Sequence, residues 1–354
     1  MRLRSTILMA GCFLSACHSS RKQAADNNEP LKPAVVTEQV FDDSDDPAIW
    51  ISAIDPDSSL IIGTDKHNTN GGIYVFDLKG HIDRQRSITG LQRMNNVDVA
   101  YGLLLNGVKT DIAVATERGR NRIRVFSLPA MKEIDGGGIE VFTGQQQRDP
   151  MGIALYTRPS DSAIYAIVGR KSGPAEGYLE QYLLKDNGHG QVTGALVRSF
   201  GKYSGKKEIE SIAVDNELGY VYYSDEQVGV RKYYADPEKG NEELALFGQD
   251  EFLEDNEGIS IYKLADGTGY ILVSDQAANR FNIYPREGAD GNPHLHKRVA
   301  SLPFSTQQSD GSDVTSVSLP GFDGGLFVAM STDKTFQYYH WEDIAKRAGL
   351  RVSR

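Results

Sequence analysis

Carboxylates set side by side repel one another, so the run DDSDDPAIW, Asp42 to Trp50, raises a question about what neutralises it. A solvated acidic loop ahead of an ordinary strand would suffice if the pattern stood alone. It recurs. Asp45 and Asp46 are echoed by Asn95 and Asn96 with Asp98, by Glu208 and Glu210, by Asp255 and Glu257, and by Asp310 with Asp313. Each group stands at the start of a short apolar run. Only the corresponding stretch with Met151 lacks a polar group there. Carboxylates drawn from five such places to one opening cannot all stay ionised unless cations sit among them. An all-oxygen set without His or Cys favours a hard ion, and a flexible shell of many carboxylates suits Ca2+ better than Mg2+. The expected ligands are Asp45, Asp46, Asp98, Glu210, Asp225, Glu226, Asp255, Glu257, Asp310 and Asp313, holding several calcium ions.

A second pattern lies about twenty residues downstream of each group. Lys66, Arg118 and the pair Arg170 and Lys171 close three strand-like runs, whereas Asp225 with Glu226, Asp275 and Asp333 close the next three. One half of such a rim is cationic and the other anionic. A metal-loaded acidic half facing a basic half suits a polyanion, since Arg offers a fork that matches phosphate oxygens and Lys a point charge. Other chemistries find little support: there is no Cys nucleophile, P-loop, HExxH or nucleophile elbow, and His294 with His296 in GNPHLHK reads as surface. Phosphate chemistry here would rest on a metal and water.

The elements that must position these residues repeat at about fifty residues. GGIYVFDL from Gly71, NRIRVFSL from Asn121, GYLEQYLL from Gly177, VGVRKYYA from Val228, NRFNIYPR from Asn279 and DKTFQYYHW from Asp333 mark six units. Two strand-like runs precede each marker, as DDPAIWIS and LIIGTDK precede the first, and a fourth run follows five of them. Short alternating strands parted by Gly and Asp turns indicate sheet. The sixth unit lacks its fourth strand, and VVTEQVF, Val35 to Phe41, fits there, closing a ring without an open edge. The expected fold is all-β: a six-bladed β-propeller, four antiparallel strands per blade, closed by the N-terminal strand. Inner strands line the channel of such a ring, so their starts converge on one mouth.

The 354 residues include 36 Gly and 40% hydrophobic residues, and the formal charge of −10 leaves no basic stripe for nucleic acid. MRLRSTILMAGCFLSAC has the basic start, apolar stretch and small residues of a secretory signal. LSAC resembles a bacterial lipobox, which would make Cys17 the lipidated first mature residue and remove Cys12. His18 after it, in place of Asp, fits outer-membrane sorting. Residues 1–16 are therefore expected to be a signal, 17–34 an anchor and flexible tether, and 35–354 the propeller. The membrane would be met through Cys17 alone, and a monomer is expected.

DDPAIW, GTDK, GGIYVFDLKG, NNVDV, ATERGRN, EIESIAVDNELGYVYYSDEQVGV and DNEGISIY with GYILVSDQ together resemble the β-propeller phytases, from about Glu38 to Leu350. The resemblance implies six blades, several Ca2+ ions and stepwise removal of phosphates from phytate by water activated at calcium. It also implies a neighbouring site for a second phosphate. By position it makes Lys66, Arg118 and Lys171 the phosphate-binding and catalytic cations, with Arg170 beside them. Asp45, Asp46, Glu210, Asp225, Glu226, Asp255 and Glu257 fall on the family's calcium carboxylates. Departures are Met151 for a phosphate-binding Tyr, Ser172 for an acid, an inserted PAEGY, and a shortened SDGSDVTS that leaves Thr315 at a ligand position. Two alternatives stay open: a propeller phosphatase or phosphodiesterase for another phosphorylated metabolite, and a calcium-stabilised binding propeller without turnover.

Overall fold

The computed structural model describes residues 29–353. Among them, six antiparallel sheets follow one another around a ring. The inner strands, blade by blade, are Ser44–Trp50, Met94–Leu105, Pro150–Thr157, Ile212–Asp215, Asn256–Lys263 and Ser312–Thr315. Each pairs with the strand after it, and that with the next, outward to the rim. Five blades have four strands; blade 2 carries an additional short strand, Lys132–Glu133, beside its outer Ile139–Glu140.

The ring closes as its sequence requires. Val35 and Val36 pair with Tyr338 and Gln337 of blade 6, and the contact continues beyond the regular strand through the Val40 amide to the Lys334 carbonyl, 2.9 Å. The chain meets the propeller ahead of residue 35: Leu31 is buried and exchanges backbone hydrogen bonds with Pro303 and Ser305. The expected signal and Cys17 anchor lie outside the described residues. No described helix is long and apolar enough to cross a membrane.

The core is divided into six apolar layers, each sandwiched between neighbouring blades. Sheets that alternate apolar side chains on both faces can bury both only by stacking radially in this way. The joint between blades 6 and 1 is of the same kind: Ile49, Ile61 and Phe76 pack on Val328, Phe336 and Tyr338. Gly63 makes room for this joint, because a Cβ there would collide with the Phe336 ring at 2.2 Å. The helix Trp341–Ala348 follows the last strand and caps the blade 5–6 layer, with Trp341 stacked on Tyr262 at 3.7 Å between ring centres. An ion pair ties blades 4 and 5, with Arg286 donating to both oxygens of Asp215 at 2.5 and 2.6 Å. His296, expected on the surface, is buried and lies 2.8 Å from the Pro285 carbonyl, beside the Lys232 ammonium.

Candidate metal and phosphate site

The inner strands enter their blades through a shared local device. In blades 1, 2, 3 and 5 the pairing slips at its first residues, between Ser44 and Pro47, Met94 and Val97, Pro150 and Ile153, and Asn256 and Ile259. Such a bulge breaks the two-residue alternation and re-aims a side chain. The first bulged residue turns to the mouth. Asp45, Asn95, Met151 and Glu257 occupy this position, and Glu210 and Asp310 stand at its equivalent in blades 4 and 6. The second position is small where the neighbouring blade crosses it: a Cβ on Gly152 would lie 2.1 Å from the Glu210 carbonyl oxygen.

The mouth residues are in contact across the ring. Lys66 Nζ sits 2.6 Å from Asp45 Oδ1 and 2.5 Å from Asp310 Oδ2. Asn95 donates through Nδ2 to Asp45 at 3.2 Å and to Glu210 at 2.9 Å, a neutral spacer between two carboxylates. On the blade 4–5 side, Glu208, Glu210 and Glu226 form one group whose oxygens lie within 4.8 Å of each other, and Glu226, Asp255 and Glu257 form a second. Glu226 belongs to both. Its Oε1, and Oε2 of Glu257, are buried with no hydrogen-bond partner among the described residues.

Burial pushes these acids up. Glu226 rises to about 8 through loss of water, against the pull of Lys207, and Asp310 to about 6 through the same cause, against Lys66. Glu210 is held well above the carboxylate range by burial and then by the charge of Asp45, and Glu257 by burial and then by Glu226. Burial alone would lower the Lys66 ammonium, but Asp45, Asp310 and Glu210 outweigh it and raise it. Buried oxygens that repel each other and lack partners are a fitting shell for a hard cation, which supplies the missing charge. Glu208, Glu210, Glu226, Asp255 and Glu257 fit such an ion.

Four expected ligands have other duties. Asp46 accepts the Val97 amide at 3.0 Å, Asp98 the Leu155 amide at 2.7 Å, and Asp313 the Ile49 amide at 2.8 Å. Each thereby staples its own inner strand to the next blade, and all three line a channel cavity of about 230 Å³ below the mouth. Thr315 lines this cavity as well. Asp225 is committed to Arg231 at 2.8 Å and to Ser204, so it braces blade 4. The bulge separates Asp45 from Asp46 in function although they are adjacent in sequence.

The cations also divide. Lys66 is at the mouth but its charge is shared by two carboxylates. Lys171 pairs with Glu208 at 3.0 Å and stays half exposed, and Arg118 lies 3.9 Å from Asp149. Arg170, expected beside Lys171 at the phosphate, is instead buried. Its guanidinium lies over the Phe142 ring at 4.5 Å and donates to the Gln147 carbonyl, leaving Nε and Nη2 without partners among the described residues. Lys207 has no counterpart among the cations expected from sequence. It hydrogen-bonds Asp255 and stands 3.0 Å from Glu226, within the half of the rim expected to be anionic. The doubled lysine ahead of EIES is the one signal the sequence offers for it.

Fold and site together define a propeller whose single mouth gathers hard oxygen ligands and cations. A family model described as Phytase matches residues 3–347. The chain is 31% identical over 335 residues to the 3-phytase of Bacillus subtilis (strain 168), covering 87% of this chain and 82% of that protein. Of solved structures, the Dos1 propeller overlays 82% of this chain and 66% of its own at a TM-score of 0.42 and 11% identity. The chain belongs to the phytase family.

Proposed function

We propose that the protein is a calcium-dependent phosphomonoester hydrolase that releases phosphate stepwise from phytate. The observation that carries this reading is the pair of carboxylate groups sharing Glu226, buried and incompletely partnered, next to cations on the same mouth. Glu208, Glu210, Glu226, Asp255 and Glu257 would hold calcium, which when bound supplies Lewis-acid polarisation and a more acidic water. Arg118 and Lys171 then bind and orient phosphate oxygens, and Lys66 fixes Asp45 and Asp310 at the ring centre. An anion arriving at this mouth meets preorganised positive charge, which is worth most where it opposes charge developing on phosphorus. Asn95 keeps Asp45 and Glu210 apart, so the shell does not collapse on itself.

Phosphate release from phytate and from a small aryl phosphate, each in calcium and in excess chelator, tests the reading. Calcium-dependent release from phytate supports it. Release that ignores calcium, or turnover of the aryl ester with none of phytate, would favour another phosphatase.

We further propose that Cys17 carries the lipid anchor of an exported protein. Cys17→Ser should leave the protein unlipidated and free of the membrane fraction; unchanged membrane retention would refute this.

A further inference from the structure

Lys207 lies in the loop between the outer strand of blade 3, which ends at Lys202, and the inner strand of blade 4, which starts at Ile212. Its ammonium spans two members of one carboxylate group, Glu226 at 3.0 Å and Asp255 by a hydrogen bond. The side chain is 36% exposed, so its stem has an open path to solvent, unlike that of Lys66 at 18%. Both lysines act as internal counter-ions; only Lys207 sits where the ligand groups are otherwise incomplete.

A divalent ion held by Glu226, Asp255 and Glu257 shares two of its three acids, Glu226 and Asp255, with the Lys207 ammonium. Calcium binds carboxylate oxygens at about 2.3–2.6 Å. An ammonium bonded to the same carboxylates would then face a double positive charge at close range. Ammonium and ion therefore exclude each other. An expelled ammonium would have four methylenes of reach, and the nearby Lys171 is paired with Glu208, a member of the adjoining group.

We propose that Lys207 is an exchangeable counter-ion: it holds the Glu226–Asp255 site together without metal, is displaced when calcium enters, and then joins the mouth as a binding group for an anionic phosphate ester. The exchange rests on the proposal that these acids hold calcium. It makes the anion site complete only after the metal has bound, so the two ligands bind in a favoured order. Reciprocity follows, since an anion that holds Lys207 outside must also tighten calcium.

Lys207→Met keeps the stem and removes the charge. Calcium titration calorimetry on the full chain, after chelator treatment, should show the first ions binding about tenfold tighter than in wild type, because no ammonium competes for two carboxylates. In excess chelator the variant should melt lower than wild type. The calcium-loaded variant should bind myo-inositol hexasulfate, a hexa-anion without phosphate esters, several-fold more weakly, and Lys207→Arg should restore that binding. An unchanged calcium isotherm would overturn the displacement. Undiminished hexasulfate binding would overturn the role at the anion. No calcium binding by either protein would instead overturn the assignment of these acids as metal ligands.

Discussion

Without calcium, stability should depend on pH in an unusual direction. Glu226 has a pKa of about 8 in the folded chain against an ordinary 4.5, and Glu210, Glu257 and Asp310 are raised too. Between those limits the folded chain holds protons that the unfolded chain has released. Stability must then fall as pH rises, from about pH 4.5 until Glu226 ionises in the folded chain near pH 8. A tenfold difference in proton affinity between the two states is worth about 1.4 kcal/mol, so a shift of this size, shared between Glu226 and the acids around it, is worth on the order of 5 kcal/mol across the window. In a protein of this size that is a drop in Tm of roughly 10 °C at most. Calcium held by these acids would remove the penalty by replacing the protons, so its stabilisation should grow over the same range. Thermal melts at four pH values spanning that window, each in calcium and in chelator, read both effects. The gap between the two curves should widen steadily with pH. A constant gap, or a chelated Tm that climbs from the acid end of the window to the alkaline end, would show that these carboxyls are not protonated in the metal-free fold.

Other changes separate the parts of the molecule. Arg118→Ala should lower kcat/KM for phytate by about 10²-fold with little change in Tm, since it removes a preorganised charge from the rim; unchanged kinetics would place the anion elsewhere. Met151→Tyr supplies a hydroxyl donor at the mouth position that lacks one, and should raise phytate turnover more than that of a small aryl phosphate, by about tenfold to a hundredfold at most for one hydrogen bond to a charged group. Equal or lower phytate efficiency in a folded, calcium-replete variant would mean blade 3 serves a different substrate. Arg286→Leu leaves the buried Asp215 uncompensated and should cost about 3–5 kcal/mol in urea unfolding without altering calcium affinity. A loss below about 1 kcal/mol would show that Asp215 finds another partner.

The ring itself was legible because each blade repeats the same alternation of apolar strands, and the missing outer strand could be matched to Val35–Phe41. Its regular part proved shorter, since beyond Val36 the contact with blade 6 is irregular: the Thr37 hydroxyl accepts the Phe336 amide, and Val40 donates to the Lys334 carbonyl. What sequence could not separate was Asp45 from Asp46. Both are acidic and adjacent, and a strict two-residue period would place one on each face of a sheet; the bulge at Ser44–Pro47 instead sends one to the mouth and one to the next blade. The same irregularity hides the stapling roles of Asp98 and Asp313, whose partners are backbone amides of a neighbouring blade. Arg170 and Lys171 are consecutive cations, yet one is buried against Phe142 and the other half exposed, a difference set by strand alternation at the end of Ile164–Arg170. Lys207 carried no motif, and its importance arises from acids contributed by blades 4 and 5.

Calcium dependence centred on the shared acid is tested by the initial rate of phosphate release from phytate against free calcium, for wild type and Glu226→Gln. Glu226 belongs to both carboxylate groups, so its charge should matter more than that of any other ligand. Wild type should show saturable activation and fall to background in chelator. The variant, with its fold intact, should need roughly tenfold more calcium or lose activity altogether. Superimposable curves, or a wild-type rate indifferent to calcium, would contradict a metal-dependent hydrolase built on these acids.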